Sequence, residues 1–167
     1  AADVVYGFDN HQGFKALFSA PLDGTARRDL VLSRPDVDVD GLVRIGRDRR
    51  VVGASYATER RTVEYFDPEL RKLAMALGKA LPAGSSISFV DASEGERQLL
   101  LLVSSDVDPG MFYRYDKATR QLSPLVGVRD ELAGIRMGEM RPVTFPAADG
   151  TMIPGYLTLP PGSSGKG

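Results

Sequence analysis

Apolar and polar residues alternate along most of the chain, in short segments that end at turn residues. This alternation is typical of antiparallel β-strands that turn one face toward a core. Asp23-Gly24, Glu94-Gly95 and Asp108-Pro109-Gly110 supply turn sequences between the segments. The pattern therefore predicts strands at residues 4–8, 14–20, 29–32, 41–46, 50–56, 62–66, 86–90, 98–104, 111–115 and 122–126.

One segment, residues 68–81, has the periodicity of a helix. Its apolar residues recur every three or four positions, so they fall on one helical face. Asp67 is placed to cap the first amides, and Pro68 suits the first helical position. Pro82 and Gly84 then end the segment. We expect an amphipathic helix that covers a sheet with Leu70, Leu73, Ala74, Leu77 and Leu81.

Aromatic strands recur at a regular interval. Leu17-Phe18, Tyr65-Phe66 and Phe112-Tyr113 are separated by 48 and then 47 residues. After the first and third pairs a turn and one more apolar strand follow, and after the second the helix takes that place. Units of this length with about four strands are typical of propeller blades. The fold class predicted is mostly β, a partial β-propeller of about three blades with one inserted helix; a β-sandwich is the alternative.

The chain changes character from residue 140 onward. Two apolar segments, Arg141-Pro142-Val143-Thr144-Phe145 and Gly155-Tyr156-Leu157-Thr158-Leu159-Pro160, flank Asp149-Gly150, a strong hairpin turn sequence. A tail rich in Pro, Gly and Ser follows and resembles an interdomain linker. We therefore divide the chain into repeated strands at 1–139 with the helix insertion 68–81, a hairpin at 140–160 and a tail at 161–167, and we expect it to be part of a longer protein.

Charge and composition exclude several partners. The 167 residues carry 21 basic and 22 acidic side chains, so the chain lacks the basic excess that nucleic acid binding requires. No uninterrupted apolar run exceeds five residues, whereas a membrane span needs about 20. Cysteine is absent, which excludes thiol chemistry but suits the cytoplasm and the periplasm equally. The basic cluster at residues 47–50 is predicted to be a solvated loop without a ligand.

Candidate catalytic groups are few. His11, the sole histidine, falls in the polar stretch Asp9-Asn10-His11-Gln12-Gly13, where we expect a solvated loop residue. A Ser-His-acid triad needs a serine held on a strained, exposed turn, and Gly-x-Ser-x-Gly is one sequence that forms such a turn. Gly162-Ser163-Ser164-Gly165-Lys166 departs from that motif at its last position. The sequence predicts no catalytic, cofactor-binding or metal-binding residue and no cofactor.

An acidic stretch resembles the start of a calcium-binding loop. Asp36, Asp38 and Asp40, followed by Gly41, match its first six positions. The twelfth position is Arg47, where that loop needs a glutamate, and the flanking segments are strands instead of helices. We interpret the stretch as an acidic turn, with a looser calcium site as the alternative.

Four segments of the chain together resemble one known family. One is the hairpin at 140–160 with its Pro/Gly tail, and the others are Arg50-Val51-Val52-Gly53, Tyr65-Phe66-Asp67-Pro68-Glu69-Leu70 and Ser104-Ser105-Asp106-Val107-Asp108-Pro109-Gly110. The hairpin is similar to the start of the peptidase domain, and the other three resemble late propeller blades, of the prolyl oligopeptidase family. The resemblance is closest to its dipeptidyl-peptidase and acylaminoacyl-peptidase-like members.

The resemblance implies a function that belongs to a larger protein. In that family a β-propeller covers an α/β-hydrolase domain and limits the access of peptides to a Ser-His-Asp triad. Residues 1–139 would be late propeller blades and 140–160 would lead into a hydrolase domain absent from this sequence. No catalytic residue carries over, and Asp106, Asp108, Arg47 and Arg60 receive no substrate role.

Two functions stay open on these grounds. The first is a non-catalytic propeller part of a serine peptidase that filters peptide substrates. The alternative is a non-enzymatic propeller or sandwich module that binds a protein or a glycan. In either case we expect self-association, because an opened propeller presents strand edges without partners.

Overall fold

The structure, a computed structural model, describes residues 3–163. Strands make up 50% of the described residues, which confirms the mostly β fold class. Within the described range there is one α-helix, α1 (Pro68–Ala80). The strands are β1 (Val4–His11), β2 (Phe14–Pro21), β3 (Asp29–Leu32), β4 (Val39–Ile45), β5 (Arg50–Ala57), β6 (Arg61–Tyr65), β7 (Ser86–Ala92), β8 (Gln98–Ser104), β9 (Met111–Asp116), β10 (Gln121–Gly127), β11 (Met140–Pro146) and β12 (Met152–Thr158).

The strands form four antiparallel sheets in the described part of the chain. Their orders are β1-β2-β3, β4-β5-β6, β10-β9-β8-β7 and β11-β12. Each of the ten predicted strands corresponds to one of β1 to β10. Within each sheet, strands that follow one another in the sequence lie side by side. This is the meander that propeller blades and other repeated β folds use.

The repeat seen in the sequence has a structural counterpart. Leu17-Phe18 lies on β2 and Phe112-Tyr113 on β9, and each of these strands precedes the last strand of its sheet. Tyr65 ends β6, and the Phe66 amide continues the ladder by donating to the Val52 carbonyl at 2.8 Å. Helix α1 follows β6 where β3 follows β2, as predicted.

One local prediction was wrong. The polar stretch from Asp9 to Gly13 is not a turn of five residues, because β1 continues to His11. The turn is only Gln12-Gly13, whose φ angles of 55° and 94° are both positive. A two-residue turn of this kind matches the twist of the flanking strands and closes directly on the His11–Phe14 pair.

The described residues divide into two compact units. One contains 3–76 with 90–96, and the other contains 77–89 with 97–163. In the first unit Leu17, Val39 and Ala54 are buried between the sheet of β1 to β3 and the sheet of β4 to β6. In the second unit Leu99 and Leu101, alternate residues of β8, are fully buried.

Helix α1 begins as the sequence predicts. The Asp67 carboxylate accepts the amides of Glu69 at 2.9 Å and Leu70 at 3.2 Å, which satisfies two donors of the first turn. The Arg71 guanidinium donates to the Tyr65 carbonyl at 2.6 Å and so ties the first turn back to β6. Leu70 and Leu77 are the buried residues of its apolar face.

No helix within residues 3–163 is long and apolar enough to cross a membrane.

Candidate functional site

An open cleft of about 200 Å³ lies on the hairpin of β1 and β2. Phe18 on β2 stands opposite Gly7 on β1. A Cβ atom at Gly7 would have no heavy atom within 4 Å, so the missing side chain leaves space beside the Phe18 ring. The cleft is lined by, among others, Val5, Gly7, Asp9, Phe18, Ala20 and Arg28.

Arg28 places a positive charge between the aromatic ring and the carboxylate of this cleft. Its guanidinium carbon lies 3.8 Å from the centroid of the Phe18 ring, a cation–π arrangement. Nη1 of the same group donates to Asp9 Oδ2 at 2.8 Å. The Asn10 amide and then Arg28 hold the pKa of Asp9 below its usual value. The cleft thus presents an aromatic ring with a fixed guanidinium and a fixed carboxylate beside it.

A second, wider depression of about 400 Å³ adjoins the cleft and shares Phe8 and Asp9 with it. It is lined further by Asn10, Gly13, Lys15 and Asp38. The Lys15 amide donates to Asp38 Oδ1 at 2.7 Å, which joins the start of β2 to the loop before β4. We call the two depressions together the β1–β2 surface.

The β1–β2 surface is suited to binding. Its groups are a cation on an aromatic ring, a lysine and carboxylates, which can hold a ligand that carries charge and apolar surface. His11 lies beside it, with its ring centroid 6.2 Å from that of Phe18 and an edge-on angle of 74°. His11 is thus a strand residue packed against an aromatic ring, and the loop placement expected for it is wrong.

The three aspartates of the acidic stretch do not converge on one point. Asp36 pairs with Arg34 at 2.9 Å, Asp38 accepts the Lys15 amide, and Asp40 pairs with Arg61 at 2.7 Å. No group of three His, Cys, Asp or Glu side chains in the described part of the chain could hold a metal ion. Each of the three carboxylates is instead engaged by a different partner.

Asp40 is instead part of a clamp across three strands. Both of its oxygens accept from the Arg61 guanidinium, at 2.7 and 2.8 Å, and the Ser55 hydroxyl donates to it at 3.1 Å. These residues lie on β4, β5 and β6. Arg61, followed by the Ser55 hydroxyl, lowers the pKa of Asp40 despite partial burial. The clamp thus links side chains of the three neighbouring strands.

The basic cluster at residues 47–50 is only partly the solvated loop that we predicted. Arg47 is highly exposed and its nearest carboxylate, Glu94, lies 3.7 Å away. Arg50 differs, because it donates to both oxygens of Glu96 at 2.8 and 2.7 Å and lies 3.0 Å from Asp67. Glu96 above all raises the pKa of Arg50. Arg50 is exposed, but it begins β5 and is ion-paired, so the loop prediction holds for residues 47–49 and not for Arg50.

Asp106 and Asp108 accept backbone amides, and Arg60 lies in a turn. Asp106 accepts the Met140 amide at 2.8 Å, which fixes the start of β11. Asp108 accepts the Gly110 amide at 2.8 Å inside its own turn. Arg60 lies in the turn between β5 and β6. Of the Gly162-Ser163-Ser164-Gly165-Lys166 motif, the last three residues lie outside the described range.

Sequence reasoning did not find the pairing of Phe18 with Arg28. The register that places Gly7 opposite Phe18 follows from the Gln12-Gly13 turn, so a two-residue turn at that dipeptide was the available signal. The position of Arg28 over the ring depends on the 22–28 connection, which has no periodic pattern to indicate it.

Comparison with known proteins points to peptidases. No protein-family model matches the chain. The mostly β chain is 26% identical over 145 residues to dipeptidyl aminopeptidase BIII of Pseudoxanthomonas mexicana. The alignment covers 87% of this chain and 21% of that protein, so the chain spans about a fifth of the relative's length. The similarity is distant, and it supports a relationship to peptidases.

Proposed function

We propose that the chain is the non-catalytic, propeller-like part of a larger serine peptidase of the prolyl oligopeptidase family, where it limits the access of peptides to a separate catalytic domain. The observation that carries the proposal is the alignment of 87% of the chain with one segment of a dipeptidyl aminopeptidase. The repeated meander sheets support the same assignment, because successive blades are built in this way.

The hairpin of β11 and β12 supports a role as the connection to that domain. Arg141, Val143 and Phe145 stand opposite Leu157, Gly155 and Ile153 on one face. The other face also carries large apolar groups, with Met152 58% and Tyr156 51% exposed. Strands that are apolar on both faces are typical of sheets covered on both sides. In this proposal residues 1–139 are late blades, 140–160 lead into the catalytic domain and 161–167 are a linker.

Peptides would meet the β1–β2 surface in this proposal. A peptide carries an aliphatic backbone, apolar side chains and terminal or side-chain charges, and the surface offers Phe18, Arg28 and Asp9 for these groups. Arg28→Ala in the whole enzyme is expected to raise KM for peptides with an acidic residue several-fold and to leave kcat unchanged. Arg27→Ala is the matched control, since Arg27 pairs with Asp29 and does not line the cleft.

The decisive experiment uses the native coding sequence downstream of Gly167. The longer protein is expressed and assayed with two substrates, dipeptide p-nitroanilides as short substrates and an unfolded protein as the large one. It is also labelled with a fluorophosphonate, which reacts with nucleophilic serines. We expect hydrolysis of the short substrates, slow cleavage of the large one and labelling of a serine downstream of Gly167. The 167-residue chain alone is the control and should show neither activity nor labelling.

Three results of this experiment would contradict all or part of the proposed function. A stop codon or a further β repeat directly after Gly167 would favour a non-enzymatic binding module. A downstream domain without a reactive serine would contradict a serine peptidase. Equal rates on short and large substrates would contradict the filtering role while leaving the peptidase assignment in place.

A further inference from the structure

Residues 90–96, which end β7 and lead into β8, are attached to the hairpin of β4 and β5. The Gly46 amide donates to Asp91 Oδ1 at 2.9 Å. Arg50, the first residue of β5, donates to both oxygens of Glu96 at 2.8 and 2.7 Å. All of these residues belong to the first compact unit, so the contacts lie within it. The 90–96 segment is thus connected to that hairpin near each of its ends.

Glu96 has a backbone conformation that glutamate rarely adopts. Its φ angle is 53°, in the left-handed region where a Cβ atom crowds the following carbonyl oxygen. Gly95, the residue before it, has a φ of 70° but carries no Cβ atom. A residue with a side chain keeps such a conformation only where the surrounding contacts impose it. The paired hydrogen bonds from Arg50 supply a contact strong enough to do so.

A second carboxylate helps to hold Arg50 in place for this contact. Nη2 of Arg50 lies 2.7 Å from Glu96 Oε2 and 3.0 Å from Asp67 Oδ2. The side chains of Glu96 and Asp67 are only 25% and 20% exposed, so water screens these pairs less than pairs at the surface. Arg47 and Glu94, from the same two turns, lie 3.7 Å apart and are 83% and 86% exposed. The strong connection is therefore the one that Arg50 makes.

We propose that Arg50 and Glu96 form a latch that responds to ionic strength. While the latch is closed, it holds the 90–96 segment on the hairpin of β4 and β5. When it opens, the segment leaves that hairpin and Glu96 relaxes to a negative φ. The paired hydrogen bonds favour the closed state and the strained backbone favours the open one. Because salt screens the ion pair but not the backbone strain, added salt shifts the latch toward the open state.

The Gly46 amide reports whether the latch is closed. Gly46 is buried, and the acceptor of its amide, Asp91, belongs to the 90–96 segment. Opening of the latch removes that acceptor and lets the amide exchange with solvent. The measurement is therefore hydrogen exchange of the Gly46 amide, followed by NMR on the 167-residue chain. Each rate is divided by that of the Leu99 amide in β8, a fully buried residue, so that a general change in stability is not mistaken for opening.

Arg50→Gln removes the latch without changing the sequence of the 90–96 segment. Glutamine lacks both the charge and the planar pair of N–H groups that the Glu96 carboxylate accepts. At low salt we expect the relative exchange rate of Gly46 to rise at least about tenfold in this variant. Arg47→Gln is the matched control, because it removes the same charge from the same turn. Its rate should stay within about twofold of wild type, since the pair with Glu94 is fully exposed to solvent screening.

Two further measurements separate the latch from an ordinary turn. Glycine adopts a positive φ without strain, so Glu96→Gly would slow the exchange of Gly46 if backbone conformation alone kept the segment in place. The proposal predicts faster exchange, because the acceptor of Arg50 is lost. Raising the salt concentration from about 0.05 to about 0.5 M should accelerate the exchange of Gly46 severalfold in wild type and in Arg47→Gln. The same change should have no such effect in Arg50→Gln.

The outcomes that overturn the proposal include one that needs no variant. A relative rate of Gly46 in wild type that is unchanged by salt overturns it. Equal relative rates in wild type and Arg50→Gln overturn it as well. Slower exchange in Glu96→Gly than in wild type would mean that the turn conformation, and not the ion pair, holds the segment. None of these results bears on whether the chain belongs to a peptidase.

Discussion

Two glycines, Gly53 and Gly78, differ sharply in the space around them. Gly53 lies in the middle strand β5, where a Cβ atom would meet the Glu64 carbonyl oxygen at 2.6 Å and the Tyr65 Cα at 3.3 Å. Both are backbone atoms of the paired strand, so they cannot swing aside. We expect Gly53→Ala to lower the free energy of unfolding by about 1–3 kcal/mol, measured by urea denaturation.

Gly78→Ala is the matched control for that variant. Gly78 is exposed in α1, and a Cβ atom there meets no heavy atom within 4 Å. Alanine restricts the unfolded chain and favours the helix, so this variant should be more stable than wild type by about 0.5–1 kcal/mol. A Gly53→Ala variant as stable as wild type would contradict the close approach of β5 and β6.

Asp40 makes stability depend on pH in a defined direction. Its pKa is lowered in the folded chain, chiefly by Arg61. A carboxylate of this kind stabilises the fold at pH values above its unfolded pKa, near 3.8, and that contribution is lost as pH falls through the lower folded value. Wild type should therefore exceed Asp40→Asn in melting temperature at pH 7, and the difference should shrink toward pH 2.

The Arg61→Gln variant separates the contribution of the Asp40–Arg61 ion pair to stability from that of the other contacts of Asp40. Because Asp40 is about a third exposed, the pair is worth about 1 kcal/mol or less. Adding Asp40→Asn to Arg61→Gln should cost little at any pH, since the partner is already gone. A full additional loss of stability in the double variant would show that Asp40 acts mainly through Ser55.

Contacts between individual side chains, such as these, could not be predicted from the sequence. The acidic residues and arginines are visible in the sequence, but their pairing is decided by which strands lie side by side. Arg61 reaches Asp40 across the sheet, and Arg50 reaches Glu96, which lies 46 positions away. Arg28 contacts the Phe18 ring from the connection at residues 22–28, whose sequence has no periodic pattern. The candidate cleft was therefore invisible before the register of β1 and β2 was known.

Helix α1 depends on its cap as well as on its apolar face. Asp67 accepts two amides of the first turn and also contacts Arg50 at 3.0 Å. Partial burial tends to raise the pKa of Asp67, but the Leu70 amide, Arg50 and the Glu69 amide outweigh it and the pKa is lowered. Asp67→Ala should reduce the unfolding free energy by about 1–2 kcal/mol, measured by chemical denaturation.

Asp67→Asn distinguishes the two roles of this side chain. Asparagine keeps an oxygen that accepts the Glu69 and Leu70 amides but loses the charge that pairs with Arg50. Its stability should fall between those of wild type and Asp67→Ala. If Asp67→Asn were as damaging as Asp67→Ala, the ion pair and not the cap would hold the start of the helix.

At the scale of strands and helices, the elements could be predicted from the sequence. The strands and the helix arise from local periodicity, and α1 was predicted to start at Pro68, where it does start. The end of β1 differs from the prediction because a two-residue turn stands where a longer loop was expected. Local signals thus identify elements, whereas side-chain partners such as those of Arg50 can lie far along the chain.

Across the whole molecule the hairpin of β11 and β12 contrasts with the sheet of β7 to β10. A two-stranded hairpin is marginally stable alone, and Phe145, Met152 and Tyr156 on it are at least half exposed. In β8, by contrast, Leu99 and Leu101 are buried and the strand has neighbours on both edges. Amide hydrogen exchange follows such differences in local opening.

We therefore expect amides of β11 and β12 to exchange at least about a hundredfold faster than those of Leu99 and Leu101, measured by mass spectrometry. In the longer native protein, where a covering domain is proposed, the same hairpin amides should become as slow as those of β8. Slow exchange of these amides would then show that both faces of the hairpin are buried. Slow exchange in the 167-residue chain itself would contradict this expectation, because it would mean that the exposed apolar faces are already covered.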